Sequence, residues 1–474
     1  MVILILLALL LAFILTRGLL FAPPKTQTEP TPAPEFDKER SVTAFAQLIR
    51  CKTISYNDPA LEDEAEFAKF RALLPQLYPH VFRECEYTEL PERALLFRWP
   101  GKAAGDPAVM MAHYDVVPVE ESCWEQPPFS AHIQDGVMWG RGTLDTKGTF
   151  HGALFAADTL ISQGFTPERD VYFAFSGGEE VNGKGAPTIV EYFKEKGLTP
   201  SLVLDEGGAV VENVFPGVKK PCALIGIGEK GMINAQYRAN SSGGHASAPP
   251  AVTPIGRLSR AAQRVLKNPF PMHLTAPAAK MFDTLGRHSS FVYRLIFANL
   301  WCFGWVLDVL GRSSGGEMNA LLRTTTAFTQ MQGSSARNVI PPTATLVANM
   351  RLNPADSVES ALAYLRKTVG DADVEITALE SSEPSRISVT EGGGWDAVTA
   401  AVSQTWPDAI VSPYLMIQCS DSRHWGVLSD KVYRFSAMDL TAEERRTIHG
   451  HNERVRLECL HRAVEFYLRL LRTL

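Results

Sequence analysis

The chain has 474 residues, 45% hydrophobic and 21% charged, which suits a folded protein too long for one compact core and predicts two domains after the N-terminus. A formal net charge of −6 without a dense Lys/Arg run removes the electrostatic footprint that nucleic-acid binding needs. The seven cysteines are scattered, odd in number and include no C-x-x-C pair, so neither a disulfide framework nor a thiolate zinc site is expected.

From the N-terminus, residues 1–16 carry no charged side chain, and apolar character resumes after Arg17 and Gly18. About 20 apolar residues suffice to cross a bilayer. Segment 1–22 therefore reads as a membrane anchor or a cleaved signal peptide. The missing charged n-region and cleavage site favour the anchor, with an extracytoplasmic catalytic domain. Residues 23–36, rich in Pro, Thr and Glu, read as an extended tether. Helices near 38–50, 61–74, 147–163 and 186–196 then alternate with apolar strands at 107–112, 170–176 and 201–205, the pattern of an α/β domain with a largely parallel sheet. Beyond residue 231 the pattern changes to an alternating strand (233–238), a helix near 253–267 and strands near 322–331 and 343–351, an antiparallel α+β insertion. Alternation of helix and strand returns from Pro354 and closes on an amphipathic helix over 453–471. The expected division is 37–230 with 352–474 for the catalytic domain and 231–351 for the insertion. Segment 291–310 is as apolar as a membrane span, but Arg294, Asn299 and Asp308 make a span costly. A buried or lipid-touching helix of the insertion is the expectation, with a subunit interface or a second span as alternatives.

Five constellations carry chemistry. His113-Tyr114-Asp115 follows an apolar strand, where α/β proteins present ligand-binding residues, and Asp115 is spaced to orient the imidazole. The glycine-rich turn from Gly140 to Gly148 fits neither a P-loop nor a dinucleotide fingerprint, and its Asp145 suits a carboxylate bridging two cations. Glu179 and Glu180, after Gly177-Gly178, repel each other unless cations or a proton stabilise them. One can bind metal while its neighbour takes a proton from water. Asp205 and Glu206 end another apolar strand, and His449 and His451 lie in the stretch Thr447 to Glu453 before the last helix. Singly, each motif also reads as a structural histidine or a solvated acidic turn. Together, two histidines and three or more carboxylates without cysteine suit paired zinc, or cobalt or manganese.

The order H-x-D, G-R-G-x-x-D-x-K-G, G-G-E-E, D-E-G-G, S-G-G-H, N-V-I-P and H-G-x-N-E resembles the dizinc exopeptidase family from about residue 40 to the C-terminus. That family includes Gly-X carboxypeptidase, carboxypeptidase G, aminoacylases and succinyl-diaminopimelate desuccinylase. The D-E-G-G form, the context of Cys123-Trp124-Glu125 and the apolar N-terminus resemble most the branch of Gly-X carboxypeptidase and the N-fatty-acyl-amino-acid hydrolases. The resemblance implies a zinc-exopeptidase-like catalytic domain with an inserted lid or dimerisation domain. It also implies metal-dependent hydrolysis of the C-terminal amide bond of peptides or N-acyl amino acids. Motif by motif it implies His113 and Asp205 on one zinc, Glu180 and His449 on the other, Asp145 bridging them, Asp115 orienting His113 and Glu179 as general base. His245 of the S-G-G-H motif would stabilise the oxyanion, reaching across a homodimer, and Asn338 would contact substrate. Arg423 would bind the substrate's free carboxylate, for which a planar bidentate donor is suited. A small-acyl aminoacylase or desuccinylase, and a non-catalytic metal-binding scaffold, are the rival readings.

Overall fold

The computed structural model describes residues 1–24 and 31–474; of the tether 23–36, residues 25–30 lie outside the described residues. An eight-stranded mixed sheet forms the larger unit. Its strands lie in the order Glu86–Leu90, Ala94–Trp99, Val171–Ser176, Ala108–His113, Leu202–Val211, Val432–Leu440, Cys222–Glu229 and Ile410–Met416. The centre is parallel, as the α/β pattern predicts: Ala108–His113 runs parallel to both Val171–Ser176 and Leu202–Val211. These strands are unbroken apolar runs because both faces are covered. Met110, Phe173 and Phe175 point to the core under helices Lys147–Ser162 and Leu457–Leu471, while Val109, Met111, Tyr172 and Ala174 alternate to the core under helix Gly185–Glu195. Helix Lys147–Ser162 is buried at every residue from Lys147 to Ile161, its polar side chains Lys147, His151 and Asp158 each hydrogen-bonded to neighbouring segments. In this register His113 stands opposite Ser176, so the parallel strands deliver their carboxyl ends to one crevice.

A second, four-stranded antiparallel sheet has the order Thr325–Gln332, Thr343–Leu352, Gly231–Asn240 and Val374–Ser382. Alternate residues Ile233, Ala235, Tyr237 and Ala239 face helices Pro254–Lys267 and Val358–Val369, leaving the other face wet. This sheet draws one helix and one strand from beyond residue 351, where the sequence pattern had suggested a return to the catalytic segment. The last helix starts at Leu457 rather than 453, because Arg454–Arg456 is taken as a strand against Val137–Trp139.

Segment 291–310 is not one helix. Phe291–Ala298 and Leu300–Ser314 meet at 111° around buried Asn299, whose Nδ2 donates to the carbonyls of Leu295 and Ile14 at 2.9 and 3.2 Å. Phe297 and Leu307 pack into the core shared with Val211, Leu224 and Tyr414 of the large sheet, not into the four-stranded one. Helix Val2–Leu20 has a mean hydropathy of 2.7 and is by length and composition able to cross a membrane; Gly18 is its one buried residue.

Candidate metal centre

The crevice at the strand ends collects His113, Asp145, Glu179, Glu180, Glu206 and His449. Nδ1 of His113 donates to the backbone carbonyl of Asp115 at 3.0 Å, with Asp115 Oδ1 at 3.4 Å, which turns Nε2 outward as a free ligand nitrogen. That Nε2 lies 3.0 Å from Asp145 Oδ1 and 3.3 Å from Glu206 Oε1. On the other side, Nε2 of His449 lies 3.0 Å from Asp145 Oδ2 and 3.0 Å from Glu180 Oε2. Asp145 thus offers one oxygen to each histidine. Two triplets result, His113-Asp145-Glu206 and His449-Asp145-Glu180, that share a single carboxylate.

The residues fit a pair of cations. Ligand atoms around a four-coordinate ion with bonds of about 2.0–2.1 Å lie about 3.3 Å apart, close to the 3.0–3.3 Å between each imidazole Nε2 and its two carboxylates. Glu180 Oε1 is buried without a hydrogen-bond partner, an acceptor that a cation satisfies. Burial pushes Glu206 up to about 8 despite the neighbouring His113, while the carboxylates of Asp145 and Glu180 push His449 up to about 10. Burial also drives Glu179 well above the ordinary carboxylate range; His113 opposes this, and Asp421, Glu206 and Glu180 add to it. Burial would raise Asp145 too, but its hydrogen bonds from both histidines hold it far below. Seven carboxylates (Asp115, Asp145, Glu179, Glu180, Asp205, Glu206 and Asp421) crowd near two imidazoles, an excess of negative charge that bound cations would balance.

Asp115 also accepts from the backbone N–H groups of Glu179 and Glu180 at 3.1 and 3.2 Å, so one side chain sets both the imidazole and the carboxylate turn. Glu453 has a comparable role that the motif alone does not disclose. Its buried carboxylate accepts from Leu144 N at 2.7 Å, from Asp145 N at 3.2 Å and from Arg141 Nη1 at 2.6 Å, fixing the loop that presents Asp145.

Asp205, expected on one of the two ions, stands apart from both triplets. Asp205 is turned away from the crevice: Oδ2 accepts from Ser422 N at 2.8 Å, and burial together with Asp421 pushes its carboxyl up to about 7. Its neighbour Glu206 points the opposite way, as successive strand residues do, and meets His113. Arg423 stands beside the Glu179-Glu180 turn, Nη2 donating to Asn182 Oδ1 at 3.0 Å, while Asp421 accepts from Ser176 Oγ at 2.5 Å. His245 and Asn338 are brought together on the second unit, where Gly244–His245 pairs with Val339–Ile340 and Ala246 N donates to the Asn338 carbonyl. Neither lines the crevice of its own chain.

Next to the two triplets opens a cavity of about 680 Å³. Its walls include Val211, Leu224, Tyr414, Met416, Leu440 and Ile448, and Glu179 stands among its lining residues.

Residues 109–473 match the family model described as Peptidase family M20/M25/M40. The chain is 35% identical over 443 residues to "N-fatty-acyl-amino acid synthase/hydrolase PM20D1" of Xenopus tropicalis, covering 92% of this chain and 86% of that protein. It is 34% identical to "Probable carboxypeptidase S-like 2" of Dictyostelium discoideum, with coverages of 90% and 84%. Among solved structures it is similar to the M20 family metallo-carboxypeptidase Sso-CP2 from Sulfolobus solfataricus, with a TM-score of 0.67 at 16% identity over 91% of this chain and 98% of that one.

Proposed function

We propose, because the chain belongs to peptidase family M20/M25/M40, that this metal-dependent amide hydrolase releases an amino acid with a free carboxylate from an N-acyl amino acid bearing a long apolar acyl chain. The observation that carries this reading is the shared Asp145 between two His/Glu triplets, opening into a cavity of which one wall is apolar, with Val211, Leu224, Met416, Leu440 and Ile448. A dinuclear site is usual in this family, and zinc is our proposed occupant, with cobalt or manganese able to replace it. His113, Glu206 and Asp145 would hold one ion, and His449, Glu180 and Asp145 the other. Bound there, the pair supplies Lewis acidity that lowers the pKa of water and polarises the scissile carbonyl.

The chain's own residues supply the rest. Glu179 takes the proton of the attacking water and passes it to the leaving nitrogen. Arg423, displaced from Asn182, pairs with the carboxylate of the departing amino acid. His245 donates to the developing oxyanion, and since it lies outside its own chain's crevice we assign it to the crevice of a second copy, with Asn338 beside it contacting substrate. We take 231–270 with 325–383 as the lid unit, with helix Val2–Leu20 as a retained anchor holding the catalytic unit outside the cytoplasm.

The test is amino-acid release from a series of N-acyl amino acids, from acetyl to oleoyl, with matching C-terminal amides. Release that a chelator abolishes, that rises with acyl length and that the amides do not support is the expected result. Arg423→Ala should lower kcat/KM by about 10- to 100-fold, the worth of a hydrogen bond to a charged group. Equal turnover of acids and amides would sink the role of Arg423. Arg446 at the cavity rim favours a second reading, an acidic acyl group such as succinyl; faster release from succinyl than from oleoyl substrates would select it.

The choice of Glu206 over Asp205 has its own test. Glu206→Gln is expected to reduce bound metal from two ions per chain towards one, whereas Asp205→Asn retains both. Metal analysis of the two purified variants decides it, and the opposite pattern returns the role to Asp205.

A further inference from the structure

Exposed tryptophan is costly on a soluble surface, and this chain places two on one stripe. Trp301, Trp305 and Val309, spaced by four along helix Leu300–Ser314, are 59%, 67% and 54% exposed. Of the eight tryptophans, all of them among the described residues, only Trp301 and Trp305 are exposed. The charges that make this helix a poor span border the stripe on the same face and are neutralised in pairs: Asp308 lies 2.5 Å from buried Arg323 and 2.9 Å from Arg312.

The stripe continues into helix Val2–Leu20. The Phe13 ring lies 6.2 Å from Trp301, and Gly18 lets Leu295 approach the helix backbone. Arg17 Nη2 donates to the Ala298 carbonyl at 2.8 Å, Asn299 Nδ2 to the Ile14 carbonyl at 3.2 Å and Arg294 Nε to the Phe21 carbonyl at 2.9 Å. The first helix is therefore clamped at its C-terminal third to the elbow at Asn299. At 1.5 Å per residue Ile14 lies about 9 Å below the end of that helix. With the helix in a bilayer, the clamp carries Asn299 and Trp301 to about the depth, 5–10 Å, at which interfacial helices settle.

We propose that helices Phe291–Ala298 and Leu300–Ser314 form a membrane-docking wedge, its Trp301-Trp305-Val309 stripe seated in the interface of a lipid bilayer. The placement at the bilayer rests on the retained-anchor reading of helix Val2–Leu20. Tryptophan suits this layer because its ring is apolar and its N–H seeks water or headgroups. The wedge also reaches the catalytic cavity. Leu307 on its inner side shares a core with Leu224, Tyr414 and Met416, which line that cavity, and Glu317 in the next helix, Gly316–Leu322, lines it as well. Docking would thus set the cavity wall against the bilayer, a position suited to accepting acyl chains from lipid rather than from water.

The test uses the full chain reconstituted into phosphatidylcholine vesicles with brominated acyl chains, compared with W301F/W305F in the same vesicles. Wild-type emission should be quenched, and the quenched component should disappear in the double variant. Emission indifferent to bromine, or quenching that survives the substitutions, overturns the proposal. So does a stripe covered by a second copy, seen as a dimer that W301S/W305S/V309S converts to monomer without any lipid quenching. In the functional arm, W301S/W305S/V309S should raise KM for vesicle-borne oleoyl substrate about tenfold or more while leaving acetyl-amino-acid turnover unchanged. An equal loss on both substrates overturns delivery from lipid. N-terminal sequencing separates the two readings: loss of helix Val2–Leu20 with quenching retained removes the anchor and keeps the wedge. The helix retained without quenching does the reverse.

Discussion

Glu179→Gln is expected to lower kcat by about 10²- to 10⁴-fold, the usual worth of a positioned general base, with two metal ions per chain retained. The substitution keeps the shape of the side chain and removes only its capacity to take a proton. Glu179 sits on the same turn as Glu180, but the two point to different tasks. Glu180 Oε2 lies 3.0 Å from His449, whereas Glu179 sits beside the His113 triplet without being one of the atoms shared through Asp145. Burial and the surrounding carboxylates raise the proton affinity of Glu179, and two cations beside it would lower it again, which suits a group that takes a proton from water and returns it to the leaving nitrogen. KM should change little, since Arg423 and the cavity walls are untouched. Unaltered kcat, with metal content confirmed, would place the base elsewhere in the crevice and sink the assignment.

The parts of this site legible in the sequence are those fixed by a local rule. A histidine or carboxylate pair after an apolar strand is delivered to the carboxyl edge of a parallel sheet whatever else the chain does, and His113, Glu179 and Glu180 all stand there. The choice between Asp205 and Glu206 was not local. Strand Val432–Leu440 pairs Arg434 with Asp205 and Phe435 with Gly208, so Glu206 and Gly207 are two residues without partners in that ladder. Such a bulge resets which side chains face the crevice, and it is set by a strand more than two hundred residues away. Gly207, at φ +144, has the backbone freedom the bulge needs. Segment 291–310 failed as a single helix for a similar reason: its break at Asn299 is stabilised by the carbonyl of Ile14, which no window of local sequence contains. Strand Val374–Ser382 likewise takes its sheet from its pairing with Gly231–Asn240, not from its neighbours in sequence.

A mixture of two crippled variants should recover activity, and this follows from where His245 stands. Its Nδ1 accepts from the Ser247 backbone N–H at 3.1 Å, so the ring proton resides on Nε2, ready to donate. Yet His245 does not line the crevice of its own chain, and it is exposed on the small two-stranded sheet of the lid unit. A donor held ready and exposed to solvent, with no protein acceptor for it among the described residues, fits a crevice on another copy. His245→Ala is then expected to cost about 10²- to 10³-fold in kcat with the metals retained, the range for losing one oxyanion donor. Glu179→Gln disables the opposite half of the site. In a hybrid dimer, the His245→Ala chain keeps its Glu179 and receives His245 from its partner, so one of the two crevices is complete. With free exchange half the dimers are hybrids, and the mixture should regain about a quarter of wild-type activity. Differently tagged chains show whether hybrids have formed. Hybrids with no more activity than the separate variants would place His245 within its own chain's reaction, reached by a lid movement rather than by a partner.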